Sequence, residues 1–143
     1  MDPNARLRLE ELLDREIGVA RLLAATLAAE RNALTGNSPE AVEQQAAEKV
    51  QLLGAIEQLE AERRTLCEAP HAAGIAATVA ERWRALMEVM ARCRTANEVN
   101  GHIIHVRQHQ IRQLLDIVRG GPAITYGPQG KTFAKALRAL AQA

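Results

Sequence analysis

The longest uninterrupted helical pattern of the chain is residues 78–119, which read TVAERWRALMEVMARCRTANEVNGHIIHVRQHQIRQLLDIVR and contain no proline. Apolar side chains recur every three or four residues from Val79 to Val118, with a few polar residues at the same spacing. At 1.5 Å per residue, a helix over 79–119 is about 60 Å long. A pattern that continues this far is typical of coiled-coil-like packing. Thr78 and Glu81 have the spacing of a capping box at its start.

Two more helical segments precede this stretch. Asp2-Pro3 and Ser38-Pro39 each combine a side-chain acceptor with a proline, which is the pattern that begins a helix. Helices are therefore expected over 3–34 and 39–68. We predict an all-α fold: an antiparallel bundle or hairpin of three long helices, plus a short C-terminal amphipathic helix. Helices two and three would form a hairpin centred at residue 73 or 74.

The C-terminal residues differ from the rest of the chain in charge. Residues 119–143 contain four basic and no acidic side chains, whereas residues 1–118 contain 14 basic and 17 acidic ones. A turn region that holds Tyr126 is followed by a short helical pattern with Phe133, Leu137 and Leu140 on one face. A helix of about a dozen residues is marginal on its own. We expect a three-helix body over 1–119 and a flexible basic tail over 120–143.

The composition argues against several classes of protein. The 143 residues have a net charge of +1 and are 2% aromatic, which disfavours a nucleic-acid partner. No apolar run is long enough to insert stably into a membrane, and the polar start is not a signal peptide. Two cysteines without an export signal suggest a reducing cytoplasm, and the hairpin register holds them too far apart for a disulfide.

No constellation of side chains suggests catalysis, so we predict neither an enzyme nor a cofactor. His102, His105 and His109 share one face of the third helix, but no fourth ligand lies near them in sequence. Surface histidines are the favoured interpretation, and no metal site is predicted.

Polar residues interrupt the apolar spacing in the middle of the third helix. The hairpin register places Asn97 beside Lys49 of the second helix, and Asn100 and Gly101 follow closely. Gly101 would let its helix approach the second helix near Ala46. We predict a structural polar layer of Lys49, Asn97, Asn100 and Gly101 that fixes the register of the helices. Direct contact of these residues with a partner is the alternative.

Four stretches carry a family pattern when they are taken in order. They are EKVQLL (48–53) with LEAERR (59–64), AERW (80–83), NEVNG (97–101) followed by two isoleucines, and YGPQG (126–130). Together they resemble the FlgN family of flagellar export chaperones. The Asn-x-x-Asn-Gly stretch followed by Tyr-Gly-x-x-Gly is the most distinctive pair.

The resemblance implies a function. FlgN proteins are cytoplasmic chaperones that bind the C-terminal helical segments of the hook-associated proteins FlgK and FlgL. They prevent premature polymerisation and deliver this cargo to the flagellar type III export gate. Tyr126 matches the family's tyrosine that takes part in docking to the gate protein FlhA. The resemblance places cargo binding in the C-terminal region, which here contains Ile111, Leu115, Val118, Phe133, Leu137 and Leu140.

A different class of function remains open from the residues alone. The chain could be a structural coiled-coil adaptor whose C-terminal helix only caps its own bundle or mediates oligomerisation. A homodimer is compatible with either interpretation. A basic amphipathic helix lying on a membrane surface is less favoured, because the tail contains no tryptophan.

Overall fold

The described part of the chain is helical. The computed structural model describes residues 1–36, 38–68, 70 and 74–120, and within them the regular elements are three helices. They are α1 (Pro3–Thr35), α2 (Pro39–Leu66) and α3 (Ala77–Val118). Their bounds differ from the predicted ones by one or two residues. The predicted C-terminal helix, with Tyr126 before it, lies outside the described residues.

The helix ends follow the predicted chemistry at α2 but not at α3. The Ala41 amide donates a hydrogen bond of 3.3 Å to Ser38 Oγ, which confirms that Ser38 caps α2. The capping box at α3 is wrong, because α3 begins at Ala77 and has no side-chain cap. The Thr78 hydroxyl instead donates to Glu10 Oε1 at 2.6 Å. Thr78 therefore ties α3 to α1 rather than closing its own first turn.

The first helix is the centre of the structure. It buries 12 of its side chains, compared with three on α2 and six on α3. It packs against both other helices, whereas no Cα atom of α2 comes within 8 Å of one in α3. The closely packed α2–α3 hairpin of the sequence prediction is therefore wrong. Adjacent buried residues such as Leu12 and Leu13 make the apolar face of α1 wide enough to cover two neighbours.

The direction of each helix follows from the side chains that pair across them. Glu16 of α1 pairs with Arg63 of α2, and Glu30 pairs with Lys49, so these helices are antiparallel. Going from α1 to α3, the paired residue number increases by 68 to 73, as in Asp14–Arg82 and Leu27–Asn100. Helices α1 and α3 are therefore parallel.

This register places the end of α3 beyond its neighbours. Thr35, the last residue of α1, lies level with residues 103–108 of α3. Residues 109–118, which we call the α3 overhang, therefore continue for about 15 Å past the end of α1. Within the described residues, no helix is long and apolar enough to cross a bilayer.

Candidate partner-binding site

Two buried or half-buried ion pairs join α1 to α2 in one common register. Arg63 Nε lies 2.9 Å from Glu16 Oε1, and Lys49 Nζ lies 3.0 Å from Glu30 Oε2. The residue numbers of each pair sum to 79, and the two pairs are 14 residues apart, or about 21 Å along the helix. A slip of α2 by one heptad would break both pairs. The two pairs thus favour a single register between α1 and α2.

The pair at Glu16 also reaches the third helix. Glu16 is 2% and Arg63 4% exposed. The Arg63 guanidinium lies over the Trp83 ring, 4.6 Å from its centre, so it interacts with the π-face as well as with the carboxylate. Burial raises the pKa of the Glu16 carboxyl, and the charge and hydrogen bond of Arg63 oppose that rise. Arg63 therefore connects all three helices.

The pair at Glu30 belongs to a network that contains three residues of the predicted polar layer. Asn100 is 1% exposed, and its Nδ2 donates to Leu27 O and to Glu30 Oε1, both at 2.9 Å. Lys49 Nζ donates to Glu30 Oε1 at 3.2 Å and to Asn97 Oδ1 at 3.3 Å. The structure thus brings Lys49, Asn97 and Asn100 together around one buried carboxylate. Among the described residues, no buried side-chain nitrogen or oxygen lacks a hydrogen-bond partner.

Gly101 lies outside this network. It is exposed, and a Cβ atom at its position would meet no other atom within 4 Å. The expected close approach to Ala46 is therefore wrong, because the backbones of α2 and α3 stay apart. Packing within the described chain does not explain a glycine here.

The predicted cargo residues of α3 lie on the overhang and are exposed. Ile111, Leu115 and Val118 lie beside the line of buried residues that faces α1 nearer the start of the helix, and Leu114 rather than these three continues that line. Past the end of α1, this side of α3 has no described helix to cover it. Leu114, in the same stretch, is buried. The overhang therefore exposes an apolar stripe, while Phe133, Leu137 and Leu140 lie outside the described residues.

A groove runs between α2 and α3 because α1 separates them. It encloses about 140 Å³. Its floor is formed by α1 and its walls by α2 and α3. Its lining consists of Leu23, Leu27, Lys49, Leu53, Met90, Cys93, Arg94 and Asn97. We call it the α2–α3 groove.

The two cysteines are free thiols. Cys93 is buried at the base of the α2–α3 groove, and its Sγ donates to Ala20 O at 3.4 Å. Burial raises the pKa of this thiol, which keeps it protonated and unreactive at neutral pH. Cys93 therefore acts as an apolar packing residue.

The three histidines of α3 are exposed. In the part of the chain that the structure describes, no group of three or more His, Cys, Asp or Glu side chains is placed to hold a metal ion.

The two buried carboxylates are residues that the sequence analysis missed. Glu16 and Glu30 both occupy positions with helical spacing within leucine-rich runs of α1. Arg63 and Lys49 repeat the same spacing of 14 residues on α2. Two acids and two bases at equal spacing on neighbouring helices are the signal that could have predicted the pairs.

The comparison with protein families decides the assignment. A family model described as FlgN protein matches residues 1–133. This chain belongs to the FlgN family. The match covers all three helices and extends through the Tyr-Gly stretch, and membership of FlgN implies a flagellar export chaperone. Searches of the curated proteins and of the solved structures each found no match.

Proposed function

We propose that this FlgN protein is a cytoplasmic export chaperone for the hook-associated proteins FlgK and FlgL. The observation that carries the proposal is the exposed apolar stripe of the α3 overhang, which lies past the end of α1 and beside the buried face of α3. A cargo helix that polymerises through its apolar face would instead pack that face against the stripe of the overhang. Covering that face would prevent early polymerisation until the complex reaches the flagellar type III export gate.

The C-terminal residues would extend this surface. Phe133, Leu137 and Leu140 have the spacing of one helical face, and the segment is short enough to be marginal as a free helix. Ordering such a segment on the cargo costs free energy and so lowers the affinity for a given contact area. A chaperone that must release its cargo at the gate benefits from that limit.

Leu115→Arg should weaken binding of the FlgK C-terminal segment by at least about 30-fold, the size of a hot-spot loss of about 2 kcal/mol. Leu115 is 43% exposed in the middle of the stripe, so a charge there would be desolvated under the cargo helix. Isothermal titration calorimetry of the full chain with the segment measures the change.

Val99→Arg is the matched control. Val99 is also an exposed apolar residue of α3, at 39%, but it lies on the opposite side of the helix from the stripe. Its affinity should stay within about twofold of the wild type, as for substitutions outside a contact. Equal losses in the two variants would contradict a cargo site on the overhang.

Tyr126→Ala should leave cargo affinity within about threefold and lower the affinity of the loaded chaperone for the cytoplasmic part of FlhA by about tenfold or more. An aromatic side chain between turn-forming residues is suited to act as an anchor for a partner. Surface-bound FlhA titrated with preformed chaperone–cargo complex measures the second affinity. A collapse of cargo binding would instead place Tyr126 in the cargo site.

A further inference from the structure

The face of α3 that carries the overhang stripe continues down the helix into the α2–α3 groove. From Met90 to Val118 the positions on this face alternate in steps of four and three residues, so they form one line along the helix. Arg94 and Asn97 are on this line at the groove, Gly101 follows, and the exposed stripe comes last. They are residues 90, 94, 97, 101, 104, 108, 111, 115 and 118.

The overhang is too short to be a complete interface for a helix. Its ten residues span about 15 Å, whereas a helix of fewer than about 12–15 residues is marginal in water. Specific interfaces bury about 1,200–2,000 Å² in total, which three exposed side chains do not supply. From Met90 to Val118 the same face is about 42 Å long, which is enough for a helix of about 28 residues.

The groove has the size of one bulky apolar side chain. Its volume of about 140 Å³ is close to that of apolar protein cavities of about 150 Å³ that accept benzene. Leu53 on α2 and Met90 on α3 flank it, and Leu27 lies at its floor. A phenylalanine or leucine of a partner helix therefore fits this groove.

The exposed charge of the groove favours an acidic neighbour of that side chain. Arg94 carries that charge, because the charge of Lys49 is paired with Glu30 at 3.0 Å, and no carboxylate lines the groove. The chain's own C-terminal segment carries Lys131, Lys135 and Arg138, which Arg94 would repel. An apolar anchor flanked by a carboxylate is the complementary chemistry.

Gly101 lies between the groove and the overhang stripe. A glycine inside an exposed helix lowers the stability of that helix by about 1 kcal/mol relative to an alanine. No described atom lies within 4 Å of a Cβ atom at Gly101, so packing within the described chain does not require a glycine there. The missing side chain leaves a path on which the backbone of a partner helix can lie close to α3.

We propose that the cargo helix lies along α3 from the overhang, passes over Gly101 and inserts an aromatic or leucine side chain into the α2–α3 groove, with a neighbouring carboxylate facing Arg94. This inference rests on the proposed chaperone function and extends its cargo site onto α2. The groove thus selects among the apolar helices that the overhang alone could accept.

The test compares Leu53→Arg with Val50→Arg in the full chain. Both residues are exposed apolar positions of α2, at 41% and 68%, but Leu53 lines the groove and Val50 does not. The probe is a synthetic FlgK C-terminal segment of about 30 residues, long enough to reach the groove. Leu53→Arg should lower its affinity by at least about tenfold relative to Val50→Arg, because it fills the groove with a charge.

Two more measurements locate the effect. Arg94→Glu should lower the affinity about three- to tenfold, and Arg92→Glu, an exposed charge outside the groove, by less than about twofold. A probe shortened to the part that covers the overhang should bind Leu53→Arg and Val50→Arg equally. Thermal unfolding of all four variants checks that each retains the fold.

Each outcome has one consequence. No binding by the wild-type chain would overturn the proposed function and this inference with it. Wild-type binding with equal affinities for Leu53→Arg and Val50→Arg would overturn the inference alone. Light scattering that finds a dimer dissociated only by Leu53→Arg would assign the groove to a second copy. Faster amide exchange over residues 131–141 in free Leu53→Arg would assign it to the chain's own C-terminal segment, and either finding overturns the inference.

Discussion

Arg63→Ala should lower the free energy of unfolding by about 3–5 kcal/mol, the range found when one partner of a buried ion pair is removed. The substitution would leave the Glu16 carboxylate buried without its counter-charge and without the 2.9 Å hydrogen bond. It would also remove the guanidinium from the Trp83 ring and so weaken the contact between α2 and α3. Urea unfolding followed by circular dichroism at pH 7 measures the loss.

Arg64→Ala is the matched control on the next residue. Arg64 is exposed, and its 2.6 Å ion pair with Glu60 lies on the surface of one helix. Such pairs contribute about 0.3–0.5 kcal/mol, so the stability should change by no more than about 1 kcal/mol. Equal losses of unfolding free energy in the two variants would mean that the buried Glu16–Arg63 pair contributes no more to stability than the surface pair does.

Acid should reduce the difference between Arg63→Ala and the wild type. The folded-state pKa of Glu16 is raised above its unfolded value, so the folded chain binds the proton more tightly at this site. The contribution of Glu16 to stability therefore falls as pH rises from the unfolded pKa through the raised one. Loss of Arg63 raises that pKa further, because the guanidinium opposes the effect of burial. The loss of unfolding free energy caused by Arg63→Ala should thus become smaller as pH falls through this window. A loss that stays constant with pH would exclude an uncompensated Glu16 charge as its cause.

The spacing of apolar residues predicted the three helices but not which helix lies in the middle. A stripe such as Val79–Leu86–Cys93 shows that one side of α3 is covered, and it does not show by which neighbour. The α2–α3 hairpin was expected because sequential helices commonly pack together. Both α2 and α3 instead pack on the wide apolar face of α1, since the apolar residues that α2 buries are only Ile56 and Leu59. Whether α2 packs on α1 or on α3 depends on the apolar surface that all three helices bury together. The apolar spacing of any one helix does not contain that information.

The sequence predicted the contact between Lys49 and Asn97 correctly, but it did not predict the surroundings of Gly101 correctly. Counting outward from residue 73 placed Lys49 near Asn97, and their long side chains meet across the separated backbones at 3.3 Å. Gly101 required the backbones themselves to touch, and they do not. The buried Glu30 was missed because a carboxylate on an apolar face is interpreted as a break in the stripe until its partners are known. The resemblance to FlgN depended on the four motif stretches, because the spacing of apolar residues alone fits any helical bundle.

The distribution of polar contacts matches the division of tasks proposed for the molecule. The Glu16–Arg63 pair and the network around Glu30 lie where all three helices run side by side. The overhang begins within about two to three turns of helix beyond Asn100. We therefore propose that the network anchors α3 to its own chain, and that the exposed apolar stripe beyond it serves as the surface for a partner.

Asn100→Asp should destabilise the chain by about 3–5 kcal/mol, whereas Asn97→Asp should change its stability by less than about 1 kcal/mol. At Asn100 the amide donates to both Leu27 O and Glu30 Oε1, and an ionised carboxylate can donate to neither. The change would also place a second carboxylate beside the buried Glu30, and Arg31, whose Nε donates to Asn100 Oδ1 at 3.3 Å, would offset only part of that repulsion. At Asn97 the side-chain oxygen already accepts from Lys49, and the position is exposed, so a carboxylate is well placed there.

The same change from Asn to Asp at two residues of one network therefore distinguishes a buried amide that the fold requires from an exposed amide that it does not. Urea unfolding of both variants at pH 7 measures the difference, and equal losses would contradict a structural role for Asn100. Lowering the pH should restore stability to Asn100→Asp, because a protonated carboxyl group can again donate one hydrogen bond toward Glu30. The Leu27 carbonyl would still lack its donor, so recovery should be partial. A full recovery would indicate that charge repulsion alone, rather than the lost amide donors, accounts for the loss.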